Sequence, residues 1–145
     1  MIRDIVDGDK EQILRLVEMF FKECMEPAGL CYSPETAGHH FDVFIEAPGL
    51  LALCAEEEGQ IVGLIAGTAS AILFAKELAM QEMIWYVEPS KRKCGMQLLQ
   101  EFEKRSTDLG LHCILMTGFT NSPVPDLYLR LGYKETQKIF LKLLR

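Results

Sequence analysis

The sequence predicts a single α/β domain built on a mixed β-sheet, and three observations carry that prediction. Segments with helical apolar spacing alternate with short apolar runs in the order strand, helix, helix, three strands, helix, strand, helix, strand. A strand-helix-strand crossover between Trp85 and Phe119 favours one parallel pair among neighbours otherwise joined by short turns. With 145 residues, 49% hydrophobic and 25% charged, and no repeat or low-complexity tract, residues 1–145 fit one domain with one core.

Each element has a local signal. "MIRDIV" is a short strand, and "DGDKEQILRLVEMFFKECM" sets Ile13, Leu14, Leu16, Val17, Phe20, Phe21 and Cys24 on helical spacing. Asp9 followed by Gln12 matches a capping box for that helix. "SPETAGHHFDVFIEA" reads as a second helix with Ser33 as cap and Pro34 at its first position. "GLLALCAEEEGQIVGLIAGTAS" is an antiparallel hairpin, its reversal lying within Glu56 to Gln60 where Gly59 allows a tight turn. Ala71 to Ala79 is ambiguous. "MQEMIWYV" is a strand apolar enough to be covered on both faces. From Met96 a helix carries Leu98, Leu99 and Phe102 and stops before Leu109-Gly110. "LHCILMTGF" is a buried strand, "PVPDLYLRLGY" a short helix ending at Gly132, and "TQKIFLKLL" a closing strand.

Composition excludes several classes. Lys76 and Glu77 interrupt the longest apolar stretch, and charge occupies the start where a signal peptide would be apolar, so a cytoplasmic protein with no membrane partner is expected. Five cysteines without a C-x-x-C pair read as free thiols, and the three histidines have no metal-ligand spacing, so no metal is expected. At net charge -6, with acidic and basic residues interspersed, the chain lacks the basic face that nucleic acid needs.

One cluster departs from that mixing: Lys91, Arg92 and Lys93 sit together in "WYVEPSKRKCGMQLLQEFEKR", where a strand passes into a helix. A solvated turn would explain it. So would an anion site, because free N–H groups at a helix start and nearby cations together bind phosphate. The cluster, the "EEEGQIVG" hairpin and "NSPVPDLYLRLGY" together resemble the GNAT superfamily of acetyl-CoA-dependent N-acetyltransferases over nearly the whole chain. The match is nearest a phage and bacterial subgroup with E-x-x-WYV-x-P-x-x-R on its fourth strand. The resemblance implies a mixed sheet of six to seven strands flanked by about four helices, acetyl-CoA as cosubstrate, and transfer of acetyl to a primary amine by direct attack. The acceptor is then a small-molecule amine or a protein lysine or N-terminus, a cationic one suiting the acidic balance, and a homodimer is compatible with the family.

The family's phosphate loop is written R/Q-x-x-G-x-G/A. Counting forward from Pro89 puts the arginine at Arg92 and the first glycine at Gly95; counting back from the helix makes Gly95 the second glycine, with Lys93 in the place of the first. Both hold when the loop is about two residues short, and Lys93 or Cys94 then has to adopt angles that glycine adopts freely. The resemblance assigns cofactor contacts to Tyr86 and Val87 on the strand, to Arg92, Lys93, Cys94, Gly95 and Met96 at the loop, and to Asn121 and Tyr128. Tyr128 stands where the family places a proton donor to the CoA thiolate, the alternative being a core tyrosine. Glu82 is the candidate general base, the alternative being a strand-entry charge. Asn121 as a plain helix cap is likewise open. Helix two and the region Ala71 to Ala79 would flank the acceptor groove.

Overall fold

The computed structural model describes residues 1–120 and 122–144, so the expectation placed on Asn121 lies outside the described residues. The elements run β1 (Ile2–Asp4), α1 (Lys10–Cys24), α2 (Pro34–Phe44), β2 (Leu50–Glu57), β3 (Gln60–Ala71), β4 (Leu78–Val87), α3 (Gly95–Asp108), β5 (Cys113–Leu115) and α4 (Val124–Arg130). The sheet order is β1-β2-β3-β4-β5. The first four strands are antiparallel neighbours and β5 joins β4 in parallel. The crossover through α3 therefore produces the parallel pair that its sequence implied.

Two apolar layers clamp the sheet. On one face Leu53, Ile65, Met80 and Val87 pack with Leu98, Leu99 and Phe102 of α3. On the other, Leu64 and Tyr86 pack with Ile13 and Leu16 of α1, and Phe41 of α2 adds to this layer. The alternation of side chains along β3 and β4 separates the two sets, which is why those strands carry few polar residues.

Local signals explain most boundaries. Ser33 caps α2, its Oγ accepting the Thr36 N–H at 3.1 Å. The β2–β3 reversal is two residues long, with Glu58 at φ 49° and Gly59 at φ 79°, the signs a type I′ turn requires. The capping box expected at Asp9 and Gln12 is not formed. Both Asp9 oxygens instead take the Arg3 guanidinium, at 2.8 and 3.0 Å, and Oδ2 also accepts the Val6 N–H; Gln12 Oε1 accepts the Ile61 N–H at 2.8 Å. The Arg3 partner holds the Asp9 carboxyl below the usual range. Long-range partners thus took the two side chains that a local motif would have used.

The sheet has five strands among the described residues, fewer than the six to seven expected. Thr136 to Leu144 forms no strand, and Ile139, Phe140 and Leu144 are largely exposed. A strand needs a partner edge, and β5 is three residues long, so that apolar segment has little to ladder on. The ambiguous region after β3 is an exposed loop, with Phe74 at φ 67°.

A bulge sits in the middle of β4. Ala66 pairs with Ile84 and Gly67 with Glu82, leaving Met83 without a partner on β3. At Gly67 the chains approach so closely that a Cβ would lie 2.6 Å from the Gln81 carbonyl oxygen and 2.9 Å from Phe102 Cζ. Gly67→Ala is therefore expected to lower unfolding free energy by about 2 kcal/mol or more in urea titration, since neither contact is with a flexible chain end.

Candidate functional site

The β4–β5 ladder is three pairs long, Ala79 with Cys113, Met80 with Ile114, and Gln81 with Leu115. β4 continues to Val87 without that neighbour, so the sheet opens from Glu82 onward. Glu82 stands at the opening and is 8% exposed. Burial raises its carboxyl to about 7, opposed by hydrogen bonds from the Thr117 backbone and side chain. Glu82 is therefore half protonated near neutral pH, able both to accept and to return a proton.

Tyr128, on α4, is buried beside it, and its hydroxyl donates to the Thr117 carbonyl oxygen at 3.0 Å. Its ring stacks on Trp85 with centroids 6.0 Å apart and meets Tyr133 at 5.5 Å. Burial, and after it the Glu82 charge, pushes the phenol well above its ordinary value, which keeps the proton on oxygen at neutral pH. Thr117 thus joins the two candidate catalytic groups, its hydrogen-bond donors facing Glu82 and its carbonyl facing Tyr128. The Trp85 indole N–H is buried in the same region and has no hydrogen-bond partner among the described residues, which leaves a donor for a bound acceptor.

The strand end and the loop are brought together, in an unexpected way. The Arg92 Nε donates to the Val87 carbonyl at 2.7 Å, its guanidinium lies over the Tyr86 ring at 5.3 Å, and it pairs with Glu23 at 3.3 Å. The Tyr86 hydroxyl donates to the same Glu23 at 2.9 Å. Arg92, Tyr86 and Val87 therefore bind one another and the end of α1. Lys91 pairs with Glu57 at 3.0 Å, whereas Lys93 is exposed and has no ion-pair partner among the described residues.

Pro89–Cys94 is a 3₁₀ turn running directly into α3. Neither Lys93 nor Cys94 adopts the left-handed angles expected of a shortened glycine loop, because a helical turn, and not a nest, spans the gap. Gly95 is helical at φ -59° and buried under Val87 and Trp85. Cys94 is buried, its thiol donating to the Lys91 carbonyl and raised in pKa mainly by burial, the opposite of an activated nucleophile. Met96, half-buried, follows in the first turn of α3.

The fit to acetyl-CoA differs between its two ends. The opened strand edge, the free Trp85 N–H and Tyr128 suit an amide-containing arm ending in a thioester. The phosphate end offers Lys93 and the helical turn, with Arg92 already shared with Glu23. His39 and His40 are exposed on α2, and His112 Nδ1 accepts the Leu78 N–H at 2.9 Å, tying down the start of β4. Among the described residues no His, Cys, Asp and Glu cluster is arranged to hold a metal, and no helix is long and apolar enough to cross a membrane.

Sequence reasoning missed Thr117, Trp85 as a donor, and Glu23. Thr117 belongs to no motif, and Glu23 is one of several acidic residues on α1, so neither carried a signal. Trp85 did, being the lone tryptophan on the strand that bears Glu82.

No family model matches the sequence, and no curated protein does. Solved structures match the fold. A transcriptional regulator from Bacillus halodurans aligns with TM-score 0.81 at 18% identity over 99% of both chains. Aminoglycoside N-acetyltransferase AAC(6')-Iy, solved with the bisubstrate analogue CoA-S-monomethyl-acetylneamine, aligns with TM-score 0.78 at 16% identity over 100% of this chain and 97% of that one. Ribosomal-protein-alanine N-acetyltransferase from Brucella melitensis biovar Abortus 2308 aligns with TM-score 0.77 at 13% identity over 100% and 99%. The chain has the fold of the GNAT acetyltransferases.

The raised Glu82 pKa predicts a pH-dependent stability. The folded state binds this proton more tightly than the unfolded chain, so the contribution is present below about pH 4.5 and is lost as pH rises through about 7. Glu82→Gln removes the loss: its stability relative to wild type is expected to grow by about 2 kcal/mol between pH 5 and pH 8, read by urea titration at both.

Proposed function

We propose that this protein transfers an acetyl group from acetyl-CoA to an amine by direct attack. The observation that supports it most is the meeting of Glu82 and Tyr128 on Thr117 at the place where β4 and β5 separate. Acetyl-CoA supplies a thioester carbonyl activated toward amines. Glu82 accepts a proton from the amine as its nitrogen bonds to that carbonyl carbon, directly or through one water. Tyr128 gives its proton to the sulfur as the C–S bond breaks, and the proton held by Glu82 then returns to the Tyr128 phenolate, directly or through one water, so that both groups are restored as thiol and amide leave. Backbone groups of Tyr86 and Val87 position the pantetheine arm, with the Val87 carbonyl held by Arg92. Lys93 and the backbone of Cys94, Gly95 and Met96 face the phosphates, with Arg92 contributing charge beside Glu23.

A second reading is a GNAT-fold protein that binds CoA or another protein without turnover. The loop favours it, since Pro89–Cys94 has no left-handed residue and Arg92 is committed to Glu23 and Val87. Calorimetric titration with acetyl-CoA tests both: absence of binding at millimolar ligand removes the transferase, and binding without thiol release across an amine panel leaves the second reading.

Two substitutions sharpen the first reading. Tyr128→Phe is expected to lower kcat about a hundredfold with acetyl-CoA affinity nearly unchanged, and an unaltered kcat would remove the acid role. In Gly95→Ala the new Cβ would lie 3.6 Å from Val87 Cγ2 and 3.7 Å from Trp85 Cζ2, ordinary contacts. Stability should then be kept or rise by up to about 1 kcal/mol. A loss of acetyl-CoA affinity in that stable variant would show that ligand, and not packing, needs the glycine.

A further inference from the structure

The Arg92 guanidinium is held unequally at its two ends. Nε donates to the Val87 carbonyl oxygen at 2.7 Å, whereas one terminal nitrogen reaches both Glu23 oxygens at 3.3 Å, longer than most N–H···O bonds. The Arg92 and Glu23 side chains are 49% and 46% exposed, so water and salt screen their pairing. One end of the guanidinium is fixed and the other is easily exchanged.

Glu23 keeps a partner when that exchange occurs. Its Oε2 accepts the Tyr86 hydroxyl at 2.9 Å, a bond that does not involve Arg92. Arg92 in turn keeps its bond to Val87 and its place over the Tyr86 ring, 5.3 Å from the centroid. A phosphate offers a guanidinium the same kind of acceptor as a carboxylate, oxygens that take charge-assisted N–H bonds. Lys91 is paired with Glu57, and Lys93 is exposed with no ion-pair partner among the described residues. The loop's capacity for an anion therefore rests on Lys93 and on the part of Arg92 that Glu23 releases.

We propose that Glu23 is a built-in competitor for an anionic ligand: its carboxylate occupies the terminal nitrogen of Arg92 until a phosphate of the cosubstrate displaces it. The inference rests on the acetyltransferase reading and adds to it a residue, on α1, that sets how tightly the phosphates are held. Glu23 is a positioning residue here, acting through Arg92. Two effects oppose the phosphate, the Arg92 contact to be given up and the repulsion from the Glu23 charge, and salt weakens both. A carboxylate that merely braced the loop would act in the opposite sense, because its loss would loosen Arg92 and weaken ligand binding.

The test is calorimetric titration of the full-length wild-type and Glu23→Gln proteins with acetyl-CoA and with inorganic pyrophosphate, at low and at high salt. Glu23→Gln keeps an oxygen for the Tyr86 hydroxyl and removes the charge. It is expected to bind both ligands about threefold to fivefold tighter at low salt, the size of an exposed ion pair, and to lose most of that gain at high salt. In an Arg92→Ala background the same change is expected to give a smaller factor, since only the repulsion remains. Unchanged or weakened affinity in Glu23→Gln would overturn the proposal, as would an equal gain with and without Arg92. Should Arg92→Ala not fold, Glu26→Gln serves as the control, an exposed acid three residues further along. A gain there equal to that of Glu23→Gln would likewise overturn the proposal. Pyrophosphate held tighter by Glu23→Gln, with acetyl-CoA bound by neither protein, would sink the transferase reading and leave the exchange standing. Acetyl-CoA bound equally by both would do the reverse, and no binding of either ligand to either protein would remove both.

Discussion

The constraint on which the site depends is the early end of one β-ladder. β4 and β5 share three residue pairs and then part, and the length of β4 from Glu82 to Val87 that β5 leaves uncovered carries Glu82, Trp85, Tyr86 and Val87. A parallel ladder continued for two or three more residues would cover the strand edge and satisfy its backbone groups internally. The bulge at Met83 lies two residues beyond the last pair and changes which side chains face which layer. Without it, the alternation that puts Met80 on the α3 face would give Glu82 and Ile84 that face as well. With it, Ile84 turns to the helical hairpin and Glu82 shares a pair with Gly67 on the side where Phe102 packs.

The two titratable groups illustrate why such a site costs stability. A carboxylate buried at 8% exposure, with Thr117 as its donor among the described residues, prefers its neutral form, and its pKa rises accordingly. Tyr128 pays less, because a neutral phenol with one carbonyl partner is satisfied as it stands. Opposite demands are therefore met by one residue: Thr117 donates hydrogen bonds to a carboxylate and accepts one from a phenol through its carbonyl. The unpaired Trp85 N–H belongs to the same pattern, since a folded chain without a ligand would ordinarily place a buried donor against an acceptor.

Much of this was legible in residue order. Helical spacing in "QILRLVEMFF", the Ser33-Pro34 start, the glycine of the hairpin and the Trp85 to Phe119 crossover each specify local geometry that nothing distant overrides. Glu82 and Tyr128 were singled out through a resemblance and not through spacing, as they are far apart in the chain, and the fold brings both to Thr117. Three features were illegible for physical reasons. Asp9 and Gln12 match a capping box, yet Arg3 and the Ile61 N–H, both outside the helix, hold them more usefully. Thr136 to Leu144 is apolar enough to read as a strand, but composition cannot reveal whether an edge exists to receive it. The bulge at Met83 has no glycine or proline to announce it.

The basic loop shows how a charge cluster acquires meaning from its partners. From the sequence, three consecutive cations in a chain of net charge -6 suggested one phosphate site. In the fold they divide. Lys91 is tied to the β2 end through Glu57, Arg92 is folded back over Tyr86 onto Glu23, and Lys93 points outward. The Arg92 contacts join the C-terminal turn of α1 to the end of β4, so they fix the wall of the opened cleft and withdraw positive charge from it at the same time. A cofactor phosphate would have to draw on Arg92 without breaking its bond to the Val87 carbonyl, which uses Nε and leaves the terminal nitrogens for exchange between Glu23 and an anion. A guanidinium can do this because its donors point along separate directions in one plane; a lysine in its place would have to abandon the strand to reach a phosphate.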